Sequence, residues 1–324
     1  MVINMKNIKI VYMGTPDFSV PVLEGLVENY NVVGVVTQPD KIVGKNKVPT
    51  PTKVKECALK HNIKVFQPEK IRVEYDEILK LNPDIIITCA YGQIIPKEIL
   101  DYPKYGCINV HASLLPKLRG GAPIHHAIID GYDKTGITIM YMDVGMDTGD
   151  IISMEETIIS DEDTVGSLHD RLSVMGRDLL LKTLPNILSN NIERIKQNDS
   201  DVTYAWNIKK EEEIIDFNKT SREVFNQIRG LNPFPGAYSI LDNKIIKIYE
   251  SRIGNNNPKI PGEIINIYKD GIGISTIDGE IIITKIKPFG KKLMDVKDYL
   301  NGIKDKDILI GKRFDSYEEI KGNL

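Results

Sequence analysis

"IKIVYMGTPDFSVPVLEGLVENYNVVGVVT", residues 8–37, decides the fold. Its first seven residues and its last seven, "NVVGVVT" from Asn31, are β-branched and apolar in consecutive positions, the pattern of strands buried on both faces of a parallel sheet. Between them "DFSVPVLEGLVEN" reads as a helix with Asp17 at its N-cap. "IKVFQ" (63–67), "DIIITCA" (84–90) and "CINV" (107–110) repeat the strand pattern, and "TPTKVKECALKHN" and "YDEILKLN" the helical one, with Thr50 or Thr52 as a cap. "GITIMYMD" and "DIISMEETI" predict later strands, and "TVGSLHDRLSVMGRDLLLKTLPNIL" a long amphipathic helix that closes the unit. The chain is therefore α/β, with an open Rossmann-like, mostly parallel sheet, and such sheets bind ligands at the carboxyl ends of their strands.

Past residue 190 the character changes. "SNNIERIKQNDSDVTYAWNIKKEEE" is polar and lacks apolar periodicity, which predicts a linker over 190–208 between a first domain, 1–189, and a second, 209–324. After one helix around "SREVFNQIRGL", the second domain shows strands punctuated by "YKDGIG" and "IDGE", where Asp-Gly suits tight hairpins, so a small antiparallel sheet or barrel is expected.

Composition bounds the function classes. The 324 residues are 41% hydrophobic and 27% charged, ordinary for a globular protein, and long enough for two cores. No apolar run approaches the roughly 20 residues of a membrane span, and "MVINMKNIKIVYMG" runs into a strand instead of a signal peptide, which predicts a cytoplasmic protein. Cys57, Cys89 and Cys107 are odd in number, far apart and without a CxxC pair, which argues for buried small hydrophobes over a disulfide framework or a zinc site. From residue 209 onward 20 Lys+Arg face 18 Asp+Glu, against 22 and 27 before it; a slightly basic C-terminal part suits a polyanion partner, and equally a solvated face of scattered lysines. "YMGTPDF" supplies only Gly14 where a dinucleotide fingerprint needs three glycines, and neither a P-loop nor HExxH occurs.

The chemistry-bearing stretch is "GCINVHASLLPKLRGGAPIHHAIIDG", residues 106–131. Asn109 and His111 are two apart at a strand end, so alternation points both to one face of the sheet's carboxyl edge. An amide donor beside an imidazole suits acyl transfer, in which negative charge develops on a carbonyl oxygen while an attacking amine loses a proton. "SLLPKLRGGAP" is a Pro- and Gly-rich wall, and "MDVGMDTGD" offers Asp143, Asp147 and Asp150 around two glycines, from which one carboxylate can orient His111. On the residues alone the pair reads equally well as strand-end residues satisfied by packing. His125 and His126 are adjacent on a helix ending at Gly131 and diverge by about 100°, so a three-histidine metal site with His111 is excluded, and one of the two is expected to face solvent while the other packs. His61 and His169 fall within helical patterns and carry no functional expectation.

"INVHASLLPKLRGGAPI" followed by "MDVGMDTGD" resembles the folate-dependent formyltransferase family. "MGTPDFSVPVL", "VVTQPD", "CAYGQIIP", "TYAWNIKKEEEIIDF", "LNPFPGAY", "KPFGKKLM" and "GKRF" extend the likeness over nearly the whole chain, to the branch that formylates methionyl-tRNA. The resemblance implies a formyltransferase fold with a C-terminal antiparallel β-barrel, OB-like and tRNA-binding. It further implies transfer of the formyl group of 10-formyltetrahydrofolate, a co-substrate, to the α-amine of methionyl initiator tRNA, without a metal or covalent enzyme intermediate and in a monomer. By it, Asn109 donates to the formyl oxygen, His111 moves the proton and Asp147 holds His111. The folate pocket is implied along Gln93, Ile94 and Ile95, and along Tyr141, Asp143, Gly145 and Asp147, with Ser113, Leu114, Leu115 and Pro116 beside the reacting centre; Ile94 and Ile95 read equally as core. The basic insertion "QPDKIVGKNKVPTPTKVK" carries Lys41, Lys45 and Lys47, which the resemblance places against the acceptor stem, although lysines stand where the family's usual arginines and Gly-Arg-Gly run would be. A second patch, Lys285, Lys287, Lys291 and Lys292, suits backbone contacts from the second domain. The rival readings are an amino-sugar formyltransferase, a formate-releasing hydrolase and a non-catalytic RNA-binding module; the last leaves Asn109, His111 and Asp147 without a purpose.

Overall fold

The computed structural model describes residues 5–43 and 48–322. In chain order its first strands and helices are β1 (Lys9–Gly14), α1 (Val20–Asn29), β2 (Asn31–Val36), β3 (Lys41–Val43), β4 (Val48–Thr50), α2 (Lys53–Lys60), β5 (Val65–Phe66), α3 (Asp76–Leu79), β6 (Ile85–Cys89), α4 (Lys97–Leu100), β7 (Cys107–His111), α5 (Pro123–Ile129), β8 (Lys134–Tyr141), β9 (Ile151–Ile158) and α6 (Val165–Leu188). The remainder are α7 (Ser221–Gly230), β10 (Ala237–Leu241), β11 (Lys244–Ile253), β12 (Ile264–Ile267), β13 (Ile272–Ser275), β14 (Glu280–Pro288), β15 (Met294–Asp295), α8 (Val296–Asn301) and α9 (Tyr317–Lys321).

The chain divides into two compact units, one of residues 1–123, 134–158 and 169–206, the other of 124–133, 159–168 and 207–324. The first holds a seven-stranded sheet of order β5-β2-β1-β6-β7-β8-β9, parallel up to β7 and antiparallel beyond it. Ile10, Val11, Tyr12 and Met13 of β1 and Ile85, Ile86 and Ile87 of β6 are fully buried, as strands covered on both faces require. Cys57, Cys89 and Cys107 are free and buried, the small hydrophobes their setting predicts.

The structure refines three local expectations. Asp17 does not cap α1: it opens a short 3₁₀ turn and accepts from the amide of Phe18, its nearest neighbour, while Ser19 stands at the cap position and ties the turn to β6 by donating to Cys89 O at 2.6 Å. Of the two threonines before α2, Thr52 caps, accepting from Lys55 N. The polar segment expected as a linker over 190–208 is pinned to the first unit as far as Trp206, through bridges of Ile195 with Ile151 and of Tyr204 with Arg119. Such pairing satisfies backbone groups and needs no apolar periodicity, so composition does not reveal it. Residues 124–133 and 159–168, on the N-terminal side of that segment in sequence, group with the second unit: Arg229 donates to the carbonyls of Ser160 and Asp163 there.

The second unit is built on an antiparallel path β10-β11-β14-β13-β12, with β15 on β14. Its hairpins fall where the turn chemistry puts them: Tyr268 N donates to Gly271 O in "YKDG", and Thr276 N to Gly279 O in "IDGE". α7 starts on a capping box of Thr220 and Glu223 and lays Val224 and Ile228 on Ile246, Ile248, Ile274, Ile281, Ile283 and Ile286. Among the described residues no helix is long and apolar enough to cross a membrane.

Candidate functional site

Asn109 and His111 occupy alternate positions of β7, opposite Thr88 of β6 and Thr138 of β8 respectively. Thr88 Oγ1 donates to Asn109 Oδ1 at 2.8 Å. That bond fixes the amide and leaves its Nδ2 hydrogens as the donating face. The strand carries both side chains to its carboxyl end because Ile108 and Val110, buried on the alternate face, hold the other side against the core.

His111 is almost fully buried. Its Nε2 lies 3.1 Å from Leu118 O, and because a carbonyl only accepts, Nε2 bears a proton. The other ring nitrogen, Nδ1, faces Asp147 Oδ2 at 3.7 Å, within ion-pair reach though longer than a hydrogen bond. The same Oδ2 accepts from Gly120 N at 2.8 Å. Three chain segments, β7, the loop 118–120 and the loop around Asp147, thus converge on one imidazole. Gly120 sits at φ +120°, and a Cβ there would fall 2.7 Å from Ala205 O, so the amide reaches Asp147 only because the residue has no side chain.

Asp147 itself has φ +55°, a left-handed conformation uncommon outside glycine. What holds it is a residue that composition hides in the polar segment: Gln197 Nε2 donates to the carbonyls of Asp147 and Gly149, both at 2.8 Å. Gln197 Oε1 in turn accepts from Arg119 Nε at 3.0 Å and Nη2 at 2.8 Å. Arg119 is 3% exposed, a buried guanidinium whose further partner is Asp199 at 3.6 Å. Only the unusual burial of an arginine could have signalled this arrangement, and no sequence pattern encodes it.

The remaining expected folate residues divide. Gln93 turns its side chain inward, accepting from Ile71 N at 2.9 Å and donating to Pro68 O at 3.1 Å, so it shapes the loop after β6. Ile95 is buried core while Ile94 is 66% exposed beside it, so the two readings fall on different residues. Ser113 is buried and donates to Lys117 O; Leu115 is buried with Met140 and Ile151; Leu114 and Pro116 are half-buried. Tyr141 lies under the guanidinium of Arg194, 3.7 Å from ring centroid to cation. Asp143 is occupied within its own loop, accepting from Gly145 N and Thr148 Oγ1, and a Cβ on Gly145 would meet Thr148 at 2.1 Å.

His125 and His126 depart from the expectation that one faces solvent. Both are half-buried: His125 Nε2 lies 3.2 Å from Phe234 O, and His126 Nδ1 lies 3.5 Å from Asp130. Among the described residues no group of three or more His, Cys, Asp or Glu side chains is arranged to hold a metal ion.

Of the basic positions, Lys41 is exposed on the small antiparallel hairpin of β3 and β4, and Lys45 and Lys47 lie outside the described residues. In the second unit Lys287, Lys291 and Lys292 are exposed. Lys285 is already paired, with Glu250 at 2.6 Å and Asp295 at 4.0 Å; the hydrogen bond to Glu250 raises its pKa.

The chain is similar to known proteins over most of its length. Residues 6–184 match the model of the family described as "Formyl transferase", and residues 207–304 that of "Formyl transferase, C-terminal domain". A methionyl-tRNA formyltransferase of Bacillus subtilis (strain 168) is 53% identical over 299 residues, 91% of this chain and 94% of the relative. Among solved structures, a sugar 3N-formyl transferase, WlaRD, determined in the presence of dTDP and 5-N-formyl-THF, is 26% identical, with a TM-score of 0.64 over 88% of this chain and 99% of that one. An N-formyltransferase of Helicobacter canadensis in complex with folinic acid and dTDP-3-aminofucose is also 26% identical, with a TM-score of 0.65 over 86% and 100%.

Proposed function

The chain belongs to the methionyl-tRNA formyltransferase family, and from that premise we infer that Asn109, His111 and Asp147 transfer the formyl group of 10-formyltetrahydrofolate to the α-amine of methionyl initiator tRNA. The observation that carries the reading is a buried imidazole set between Leu118 O and Asp147, beside an amide whose donor face is fixed by Thr88.

The neutral amine attacks the formyl carbon, forming a C–N bond and moving the carbonyl electron pair onto oxygen. Asn109 Nδ2–H donates to that oxyanion, a contact that strengthens as charge develops and so lowers the barrier. Because Nε2 already carries the proton that Leu118 O accepts, His111 takes the proton lost by the amine on Nδ1 and returns it to the folate nitrogen as the second C–N bond breaks, leaving tetrahydrofolate and formylated methionyl-tRNA. Asp147 steadies the imidazolium formed in between. Gln197 and Arg119 act through Asp147, as positioning residues. The folate pocket lies along Ile94, the backbone of 93–95, the wall Ser113–Pro116 and the 141–147 loop. The tRNA is held by Lys41, Lys45 and Lys47 and by the C-terminal domain, residues 209–324, through Lys287, Lys291 and Lys292, with Lys285 contributing less because its charge is taken. We assign the chain to the cytoplasm, where its RNA substrate is used, and to a monomeric state.

The test is formyl transfer from labelled 10-formyltetrahydrofolate to methionyl initiator tRNA, run beside uncharged tRNA, amino sugars and water as acceptors. Label recovered in the methionyl ester supports the reading; label recovered in a sugar or as free formate overturns it.

A further inference from the structure

Tyr204 and Trp206 form a stacked aromatic pair with centroids 5.2 Å apart and planes 9° from parallel, yet they are 49% and 56% exposed. Stacked together they present one continuous aromatic face to solvent. Their segment is extended, so positions two apart share a face: Tyr204 and Trp206 point outward, while Ala205 is fully buried. The segment is bolted to the catalytic loop. Arg119 N donates to Thr203 O, Ala205 N to Arg119 O and Ala122 N to Ala205 O, all at 2.8 to 3.0 Å, and Leu118 N donates to Thr203 Oγ1. Leu118 is the residue whose carbonyl engages His111. The aromatic pair and the imidazole therefore hang on the same short loop, inside one unit.

We propose that Tyr204 and Trp206 are the stacking platform for the 3′-terminal adenine of the aminoacyl-RNA substrate, an inference that rests on the function proposed above. The reacting amine is joined to that nucleoside by one ester and one ribose, so a base must park close to His111 whenever the amine reaches it. Stacking on an aromatic face is the sequence-tolerant way proteins hold an unpaired base, and a rigid pre-stacked pair supplies the face without ordering side chains on binding. Fixing the base fixes the ester, which presents the amine to the formyl carbon in one orientation.

Trp206 is the single tryptophan of the sequence, so its emission reports on this site alone. Full-length enzyme is titrated with methionyl initiator tRNA, with the same tRNA lacking its terminal adenosine, and with folinic acid. Quenching by intact tRNA, absent at saturation with the truncated tRNA and with folinic acid, is the expected result. Equal quenching by both tRNAs, quenching by folinic acid alone, or no quenching at saturating tRNA overturns the assignment. In kinetics, Trp206→Leu is expected to raise KM for methionyl-tRNA about tenfold with KM for the folate unchanged, and Trp206→Phe to keep most of the wild-type value. An unchanged KM in Trp206→Leu overturns it as well. If wild-type enzyme fails to formylate methionyl-tRNA, the proposed function falls and the platform with it; if it formylates normally and emission ignores the terminal adenosine, the platform alone falls.

Discussion

Replacing Gln197 with leucine should disable the enzyme without touching any group that contacts substrate. The side chain makes two hydrogen bonds to the carbonyls of Asp147 and Gly149 and accepts two from Arg119. The first pair is worth about 1 kcal/mol per bond and the second, to a cation, about 1.5 to 3 each. These values do not add, because Arg119 keeps Asp199 at 3.6 Å on an exposed carboxylate. A loss of about 1 to 3 kcal/mol, the usual consequence of leaving a buried donor without its acceptor, is the working figure. Asp147 holds its left-handed φ of +55° at a cost of about 1 kcal/mol, so the freed loop relaxes and carries the carboxylate off His111. A displacement of about 1 Å costs on the order of 10²-fold. Steady-state formylation with both substrates saturating should therefore show kcat down about 10²-fold and both KM values nearly unchanged. Arg119→Met combined with Gln197→Leu should destabilise less than the sum of the single changes, because each alone strands the other's buried polar group. A Gln197→Leu kcat within about twofold of wild type, or strict additivity in melting, would refute the reasoning.

Further outcomes are open to direct measurement. Asn109→Ala should lose on the order of 10² to 10³ in kcat and His111→Ala about 10² to 10⁴, with tRNA binding retained in gel shift; either variant at wild-type rate removes the residue from the centre. Changing Lys41, Lys45 and Lys47 together should lower the slope of log K against log salt by about 2 to 3, with folate binding intact, while Lys285→Met should change it less than Lys287→Met, since Lys285 already pairs with Glu250. Burial pushes the Cys89 and Cys107 thiols up to about 12 from the ordinary thiol value of 9.0. Stability from each is complete below the unfolded value and is lost as pH rises from 9 towards 12, so Cys89→Ala should flatten the alkaline limb of chemical unfolding by about 1.4 kcal/mol per pH unit. An identical limb in the variant would contradict a buried, protonated thiol.

The strand-helix alternation, the shared face of Asn109 and His111, a threonine cap at Thr50 or Thr52 and the Asp-Gly hairpins were all legible in the sequence, because each is set by residues within a few positions of one another: side-chain alternation, helical spacing and turn chemistry are local physics. Asp147 was legible only through resemblance, since 36 residues separate it from His111 and nothing local aims it. Gln197, Arg119 and the Tyr204–Trp206 pair belong to the tertiary structure alone. Their segment looks like a linker by composition, and it is held by backbone pairing with a loop some 80 residues earlier in the chain. Backbone hydrogen bonds carry no side-chain signature, so which polar residue meets which carbonyl, and which aromatic is left standing in water, is decided only when the two segments come together.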